Sequence, residues 1–452
     1  MKKKEILLTE GVIWKQLLLF FFPILFGTFF QQLYNTIDAI VVGRFVSSNA
    51  LAAVGGSSGQ IINLIVGFFT GLTSGASVVV SQFFGSGDRK RVNECIHTIY
   101  AFSIIGGIAI SIIGIAISPF LLEIMNTPAE LMADSTLYLQ VYFGGVLFVF
   151  LYNTGSSLLR ALGDSRRPLL YLIICCIINI LLDLLFVIVF QMGVLGVAIA
   201  TLIAQAISTI LVTRALLMSS ALCDFSLHAL SIHKDPLKKE LYIGFPGGVQ
   251  GSMYSLSNMI LQVAVNNIGT DAAAGWTALG KVDALYWMVG GSLGIAVTTF
   301  VGQNYGAGLM DRVKKSVHIG LIMNIVCALL CSYVFIVFRI PLFSIFTDNA
   351  AVLEIAAKTM SIIAPFYIFF TFIEIYSCAL RGMGDVLIPM IMTMLGVCGF
   401  RILWVLFVVP LAPTMETISL NYPISWGITA LCFVVYYHWK MASLRPSGIT
   451  QQ

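Results

Sequence analysis

The sequence predicts an all-α polytopic membrane protein. It has twelve transmembrane helices in two six-helix lobes, related by a pseudo-twofold axis along the membrane normal. Three observations lead there. The 452 residues are 58% hydrophobic and only 10% charged, against about 25% charged in an ordinary soluble domain. Apolar runs long enough to cross a bilayer, roughly 20 residues each, recur from end to end. Short motifs of the first half also return in the second half at a fixed spacing.

The runs place helices at 14–42, 50–83, 94–118, 132–159, 168–190 and 193–217, then at 240–267, 273–304, 314–338, 353–380, 387–410 and 421–440. Several exceed what an upright span needs, so tilt or extension beyond the bilayer is expected. The first follows Met1-Lys2-Lys3-Lys4, a start that imitates a signal peptide. Its apolar run continues through Val42 with no small-residue cleavage site, so it reads as a retained helix.

Lys and Arg orient the chain. Twenty fall on the side of the amino terminus, of Arg89, Lys90 and Arg91 and of the 219–240 segment, while Arg44, Arg339 and Lys358 stand on the other. Both termini are therefore expected in the cytoplasm, with the protein multi-pass in the cell (inner or plasma) membrane. Lys281 and Arg401 fall inside spans, where Arg401 has room to snorkel outward. The expected organisation is a first lobe over 1–218, a cytoplasmic linker over 219–240 carrying Asp224, His228, His233, Lys234 and Asp235, and a second lobe over 241–452. The nine cysteines follow no metal or disulfide spacing and read as small apolar filler. The chain reads as a monomer whose partners are the bilayer and small molecules, with no nucleic acid.

The repeat is specific. Leu159-Arg160-Ala161-Leu162-Gly163-Asp164 and Pro168 match Leu380-Arg381-Gly382-Met383-Gly384-Asp385 and Pro389 at an offset of 221 residues. Val80 through Val92 matches Val301 through Val313 at the same offset, and Pro23 pairs with Pro246 at 223. Six spans per half is an even number, so both halves enter from one side and the repeats are parallel, an architecture of secondary transporters. The Arg-x-x-Gly-Asp turns, on the cytoplasmic side, read either as helix caps carrying positive-inside charge or as clamps that hold neighbouring helices in one access state.

Charge within a span is costly, so it marks function or a specific pairing. On the first helix Gln31, Tyr34, Asn35 and Asp38 recur at helical spacing as one stripe. On the fifth, Asn179 lies one turn from Asp183. Counted from the outer helix ends, Asp38 and Asp183 lie about 6–12 Å deep, with Thr201 of the sixth helix at the same level. Two carboxylates, an amide and a hydroxyl at one depth of one lobe suit a small hard cation or a proton. They also suit a purely structural hydrogen-bond cluster. The second half has Phe400 and Trp404 where the first has Asn179 and Asp183. It carries its own stripe of Gln250, Tyr254, Asn258 and Gln262, with Lys281 and Asp283 on the eighth helix and Glu374 on the tenth. Lys281 suits an interhelical ion pair or a substrate-facing role. The tentative substrate cavity therefore comprises Gln31, Tyr34, Asn35, Gln250, Tyr254, Asn258, Lys281, Asp283 and Glu374. No nucleophile–base arrangement or HExxH-type motif appears, so an enzyme is the remote reading.

Over nearly its whole length the chain resembles the multidrug and toxic compound extrusion (MATE) family. The likeness rests on the two six-helix halves and on Asn49-Ala50-Leu51-Ala52-Ala53-Val54-Gly55. Val79-Val80-Ser81-Gln82-Phe83-Phe84-Gly85 and the Leu-Arg-Ala-Leu-Gly-Asp turn at 159–164 add to it. The resemblance implies cation-coupled antiport of amphipathic, often cationic drugs and toxic compounds, with no cofactor besides Na⁺ or H⁺. It also implies a coupling site, for Na⁺ if that is the ion, at Asp38, Asn179, Asp183 and Thr201, with Asn153 of the fourth helix as a further member. Some relatives use a carboxylate on the seventh helix. None stands between 241 and 267, which leaves Asp283 and Glu374 as the acidic candidates of that lobe. A flippase of lipid-linked saccharides, from the same broad superfamily, is the alternative.

Overall fold

The computed structural model describes residues 8–219 and 223–444. Lys2, Lys3, Lys4 and Arg445, all used to orient the chain, lie outside the described residues, as do positions 220–222 of the expected linker. Every secondary-structure element among the described residues is helical. The first half contains α1 (Ile13–Phe45), α2 (Ser57–Gly85, after a short helix Ser48–Gly55), α3 (Arg89–Ile124), α4 (Ala129–Ala161), α5 (Arg166–Asp183) and α6 (Gly193–Leu217). The second contains α7 (Lys234–Ile268), α8 (Thr270–Gly306), α9 (Met310–Val337), α10 (Ala350–Gly382), α11 (Leu387–Leu411) and α12 (Met415–Ser443). All twelve expected spans are present as helices. Among the described residues, eleven helices are long and apolar enough to cross a membrane by length and composition. α7 is not among them, because its polar stripe of Gln250, Asn258, Gln262 and Asn266 dilutes the apolar content.

The chain divides into two compact units. One comprises Met1–Ser252 with Gly302–Met310, and the other Met253–Val301 with Asp311–Gln452. Within the first, α2 and the start of α7 cross with almost no side chain between them. A Cβ on Gly71 would fall 2.3 Å from the Gly247 carbonyl carbon, and one on Gly75 would fall 2.3 Å from the Gly244 amide nitrogen. Gly67, Gly71 and Gly75 repeat every four residues on one helical face, a spacing that lets two backbones touch.

The repeated turns build the same cap and then diverge. Gly163 and Gly384 both take positive φ, 89° and 87°, where a Cβ is strained. Asp164 accepts from the Arg166 and Arg167 amides, each at 3.0 Å, and caps α5. Arg167 pairs with Asp164 and reaches the end of α6, donating to the Ala215 carbonyl at 3.2 Å and to Ser219 Oγ at 2.9 Å. Asp385 instead accepts from Tyr436 Oη at 2.7 Å and pairs with Lys440 at 2.9 Å, both on α12. In the first half the turn thus caps one helix and, through Arg167, is tied to the next, while Arg160 of the motif donates to Ser157 Oγ of its own helix at 2.9 Å. In the second half the tie, to α12, is the part the structure shows.

Candidate functional site

α5 packs against both α1 and α6, and the three helices bring the first-half polar residues to one place. Asp38 is 8% exposed, Asn179 1% and Asp183 not at all. Asn179 Nδ2 donates to Thr201 Oγ1 at 3.5 Å, and Thr201 Oγ1 donates to Asp38 Oδ2 at 3.5 Å. The two carboxyls are near enough to interact directly. Yet Asp38 Oδ1, Asn179 Oδ1 and both oxygens of Asp183 are buried without a hydrogen-bond partner. Four acceptor oxygens of one cluster are thus buried without a donor from a neighbouring side chain or backbone among the described residues. Unpaired buried acceptors carry a desolvation cost that a proton, a cation or a bound water can offset. No group of three or more His, Cys, Asp or Glu stands together among the described residues. The donor set of two carboxylates, an amide oxygen and a hydroxyl fits a hard monovalent cation or a proton rather than a transition metal.

Local structure helps aim these oxygens. After Asp183 the helix switches to π geometry over Leu184–Val189, a wide turn that often occurs at functional sites. Toward the Phe45 end of α1 an apolar cluster of Val41, Val42, Val187, Val194 and Val197 packs together. It leaves the carboxylates few polar neighbours on that side. On the opposite side, one turn before Asp38 on α1, Gln205 Nε2 donates to Tyr34 Oη at 3.4 Å, while Gln205 Oε1 is buried without a partner among the described residues. Gln205 and Tyr138, the latter buried in the same apolar cluster and near both carboxylates, were not among the expected residues. Gln205 lies one turn from Thr201 on the same helix, a spacing that could have pointed to it. Asn153 donates to its own helix, to the Val149 carbonyl at 2.9 Å, and no hydrogen bond joins it to the carboxylates.

The expected cavity residues are shared between the two units. Tyr34 is buried, whereas Gln31 and Asn35 on the same stripe are exposed; Gln250 of the first unit is half-buried. Tyr254, Asn258, Lys281, Asp283 and Glu374 belong to the second unit. There Asp283 is held by hydrogen bonds from Tyr367 Oη and Trp287 Nε1, within an aromatic cluster that includes Tyr286, Phe370 and Trp426. Glu374 Oε1 accepts from Cys378 Sγ at 3.5 Å. Lys281 is exposed and forms no ion pair among the described residues, so the interhelical pair considered for it is not made. Arg401 does not snorkel. It is 3% exposed, donates to Asn258 Oδ1 at 2.7 Å, and stacks its guanidinium 4.6 Å from the Tyr422 ring centroid. The face a residue takes inside an all-apolar run is not written in that run.

Comparison with known proteins places this geometry in context. The family model described as MatE matches twice, over residues 23–185 and 246–406, once in each half. A Bacillus subtilis protein named "Probable multidrug resistance protein YoeA" is 29% identical over 95% of this chain and 94% of its own length. A Shewanella oneidensis protein named "FAD transporter" is 25% identical over 71% of this chain and 72% of its own length. A solved structure described as the outward-facing conformation of a multidrug resistance MATE family transporter of the MOP superfamily superposes with a TM-score of 0.90. It is 20% identical and covers 99% of this chain and 100% of that one.

Proposed function

The chain belongs to the MatE family of multidrug efflux transporters, and from that premise we propose that it is a cation-coupled antiporter. It exports amphipathic, often cationic compounds by alternating access, driven by Na⁺ or H⁺. The observation that carries the coupling is the group of donorless oxygens on Asp38, Asn179 and Asp183. The cluster is electrostatically incomplete until a cation or proton enters, so its occupancy is tied to the gradient. A ligand shifts a conformational equilibrium only through different affinities for the two states. Entry of the cation removes the repulsion between the carboxylates and lets α1, α5 and α6 repack. Drug release follows where that repacking narrows the drug-binding space.

The proposed orientation places both termini and the 223–233 segment in the cytoplasm of a cell whose inner or plasma membrane holds the protein. The experiment is drug efflux from vesicles with pH and sodium gradients imposed separately. Efflux that follows one gradient identifies the ion. Efflux that follows neither, while the reconstituted protein still binds drug, refutes coupled antiport.

A further inference from the structure

A pocket of about 310 Å³ lies within the second unit, between the start of α9 and the ends of α10 and α12. Val317, Leu321 and Met441 form an apolar floor, and Lys314, His318 and His438 bring nitrogen to its rim. No acidic residue lines it. Lys314 has no ion pair among the described residues, whereas Lys440 nearby is neutralised by Asp385. His438 Nδ1 lies 2.8 Å from the Val434 carbonyl oxygen. A carbonyl only accepts, so Nδ1 carries the hydrogen, and Nε2 donates to an anion in the imidazolium form of the ring, where both nitrogens carry hydrogen. Lys314, Tyr376 and His438 stand about 6–9 Å inside their helix ends by the rise per residue. Trp439 beside them is 62% exposed, as aromatic residues at a membrane interface are.

The first half shows what such a groove holds. His97 and Asn93 precede His318 and Lys314 by the same 221 residues as the sequence repeat. There the chain's own Asp224, Phe225 and Ser226 fill the place. Asn93 Nδ2 donates to Asp224 Oδ2 at 3.3 Å, and the Asp224 amide donates to Asn93 Oδ1 at 2.9 Å. The Ser226 amide donates to His97 Nε2 at 3.1 Å, and the Phe225 ring lies 5.3 Å from His97 and 5.0 Å from Tyr100. An acid joined to an apolar body is the occupant. In the second half a lysine replaces the asparagine, and the described chain supplies no acid to the pocket.

We propose that this pocket binds an anionic phospholipid, its phosphate on Lys314, His318 and His438 and an acyl chain on the floor of Val317, Leu321 and Met441. Basic pockets between helices at the membrane interface recognise such head groups by charge. A free phosphate would use the rim but gain nothing from the floor.

The test is native mass spectrometry of the full chain. Protein is drawn from vesicles of phosphatidylcholine with a minor share of phosphatidylglycerol, and retained lipid is counted. The protein should retain the anionic lipid in preference, and Lys314→Gln should lower that preference about fivefold, the effect of one interfacial cation. Lys314→Arg should keep it, which separates lost charge from lost folding, and His438→Gln should lower it by a smaller factor. Unchanged retention in Lys314→Gln overturns the proposal. So does displacement of the lipid by millimolar inorganic phosphate, which would make the pocket a free-anion site. Lipid retention that appears only after removal of residues 445–452 would assign the groove to the chain's own end and overturn it as well.

Discussion

Gly85 and Gly306 make the same contact in opposite directions. A Cβ on Gly85 would fall 1.9 Å from the Gln303 carbonyl oxygen, and one on Gly306 would fall 1.9 Å from the Gln82 carbonyl oxygen. The two glycines are 221 residues apart, as are the two glutamines, so the ends of α2 and α8 touch backbone to backbone as repeat equivalents. A methyl group cannot fit without separating them. Gly85→Ala and Gly306→Ala should each destabilise this arrangement by about 1–3 kcal/mol, the usual cost of overpacking. The double variant should cost little more than either, because one separation relieves both clashes. Thermal unfolding in detergent measures this; wild-type midpoints for both single variants would show that the helix ends do not meet this way.

The side of the membrane follows from the charge count and is open to a direct check. Ser231 is exposed and hydrogen-bonds His233 at 2.9 Å within the segment between the halves. In Ser231→Cys the new thiol should resist an impermeant reagent in intact cells and react once the membrane is opened. Labelling from outside would reverse the topology.

Much of this was legible in the chain. Every long helix but α7 announces itself among the described residues as a run apolar enough to span, and counting residues from the helix ends set Asp38, Asp183 and Thr201 at one expected level. The four-residue spacing of Gly67, Gly71 and Gly75 marks a close crossing, but only three dimensions reveal that α7 is the helix it meets. The π segment after Asp183 was not legible, because Leu184–Val189 is apolar throughout and an all-apolar run carries no register. Gln205 stands one turn from Thr201, a spacing that could have marked it, but its partner Tyr34 is on another helix. Arg401 shows the limit of composition: the sequence locates a charge in the membrane, and packing against Asn258 and Tyr422 decides where it points.

Glu374 can be tested as charge and as position. Replacing it in Glu374→Gln should weaken export of dicationic compounds more than neutral ones. Gly294 borders it so closely that a Cβ there would fall 2.5 Å from Glu374 Oε1 and 2.9 Å from Cys378 Sγ. Gly294→Ala keeps the charge but moves the carboxylate. If position matters as well as charge, it should also reduce dication export, by a smaller factor. Equal export of both compound classes by Glu374→Gln removes Glu374 from substrate recognition.

The coupling cluster makes the sharpest prediction, because its chemistry distinguishes substitution by Asn from ordinary damage. Asp183 is fully buried and neither of its oxygens finds a donor, and Asp38 Oδ1 lacks one too. Asp183→Asn removes one buried charge and supplies an amide that can donate to the remaining carboxylate. An amide in place of an unpaired buried carboxyl carries no greater desolvation cost and can donate to its neighbour, so this variant should unfold at a temperature equal to or above that of the wild type. It should also have lost gradient-driven efflux, since the cluster is then held permanently in its neutralised form. Asp38→Asn should behave alike, while its Thr201 bond can persist with the amide oxygen as acceptor. The double variant should lose little more than either single one, because the two carboxylates act as one unit. Drug binding should survive in all three, which separates coupling from recognition. The measurement is efflux from vesicles under an imposed cation gradient, read beside the thermal midpoint. If Asp38→Asn and Asp183→Asn both pump at the wild-type rate with unchanged dependence on the gradient, the ion binds elsewhere. If both lose efflux together with several degrees of thermal stability, the cluster is a structural hydrogen-bond network and the coupling assignment fails.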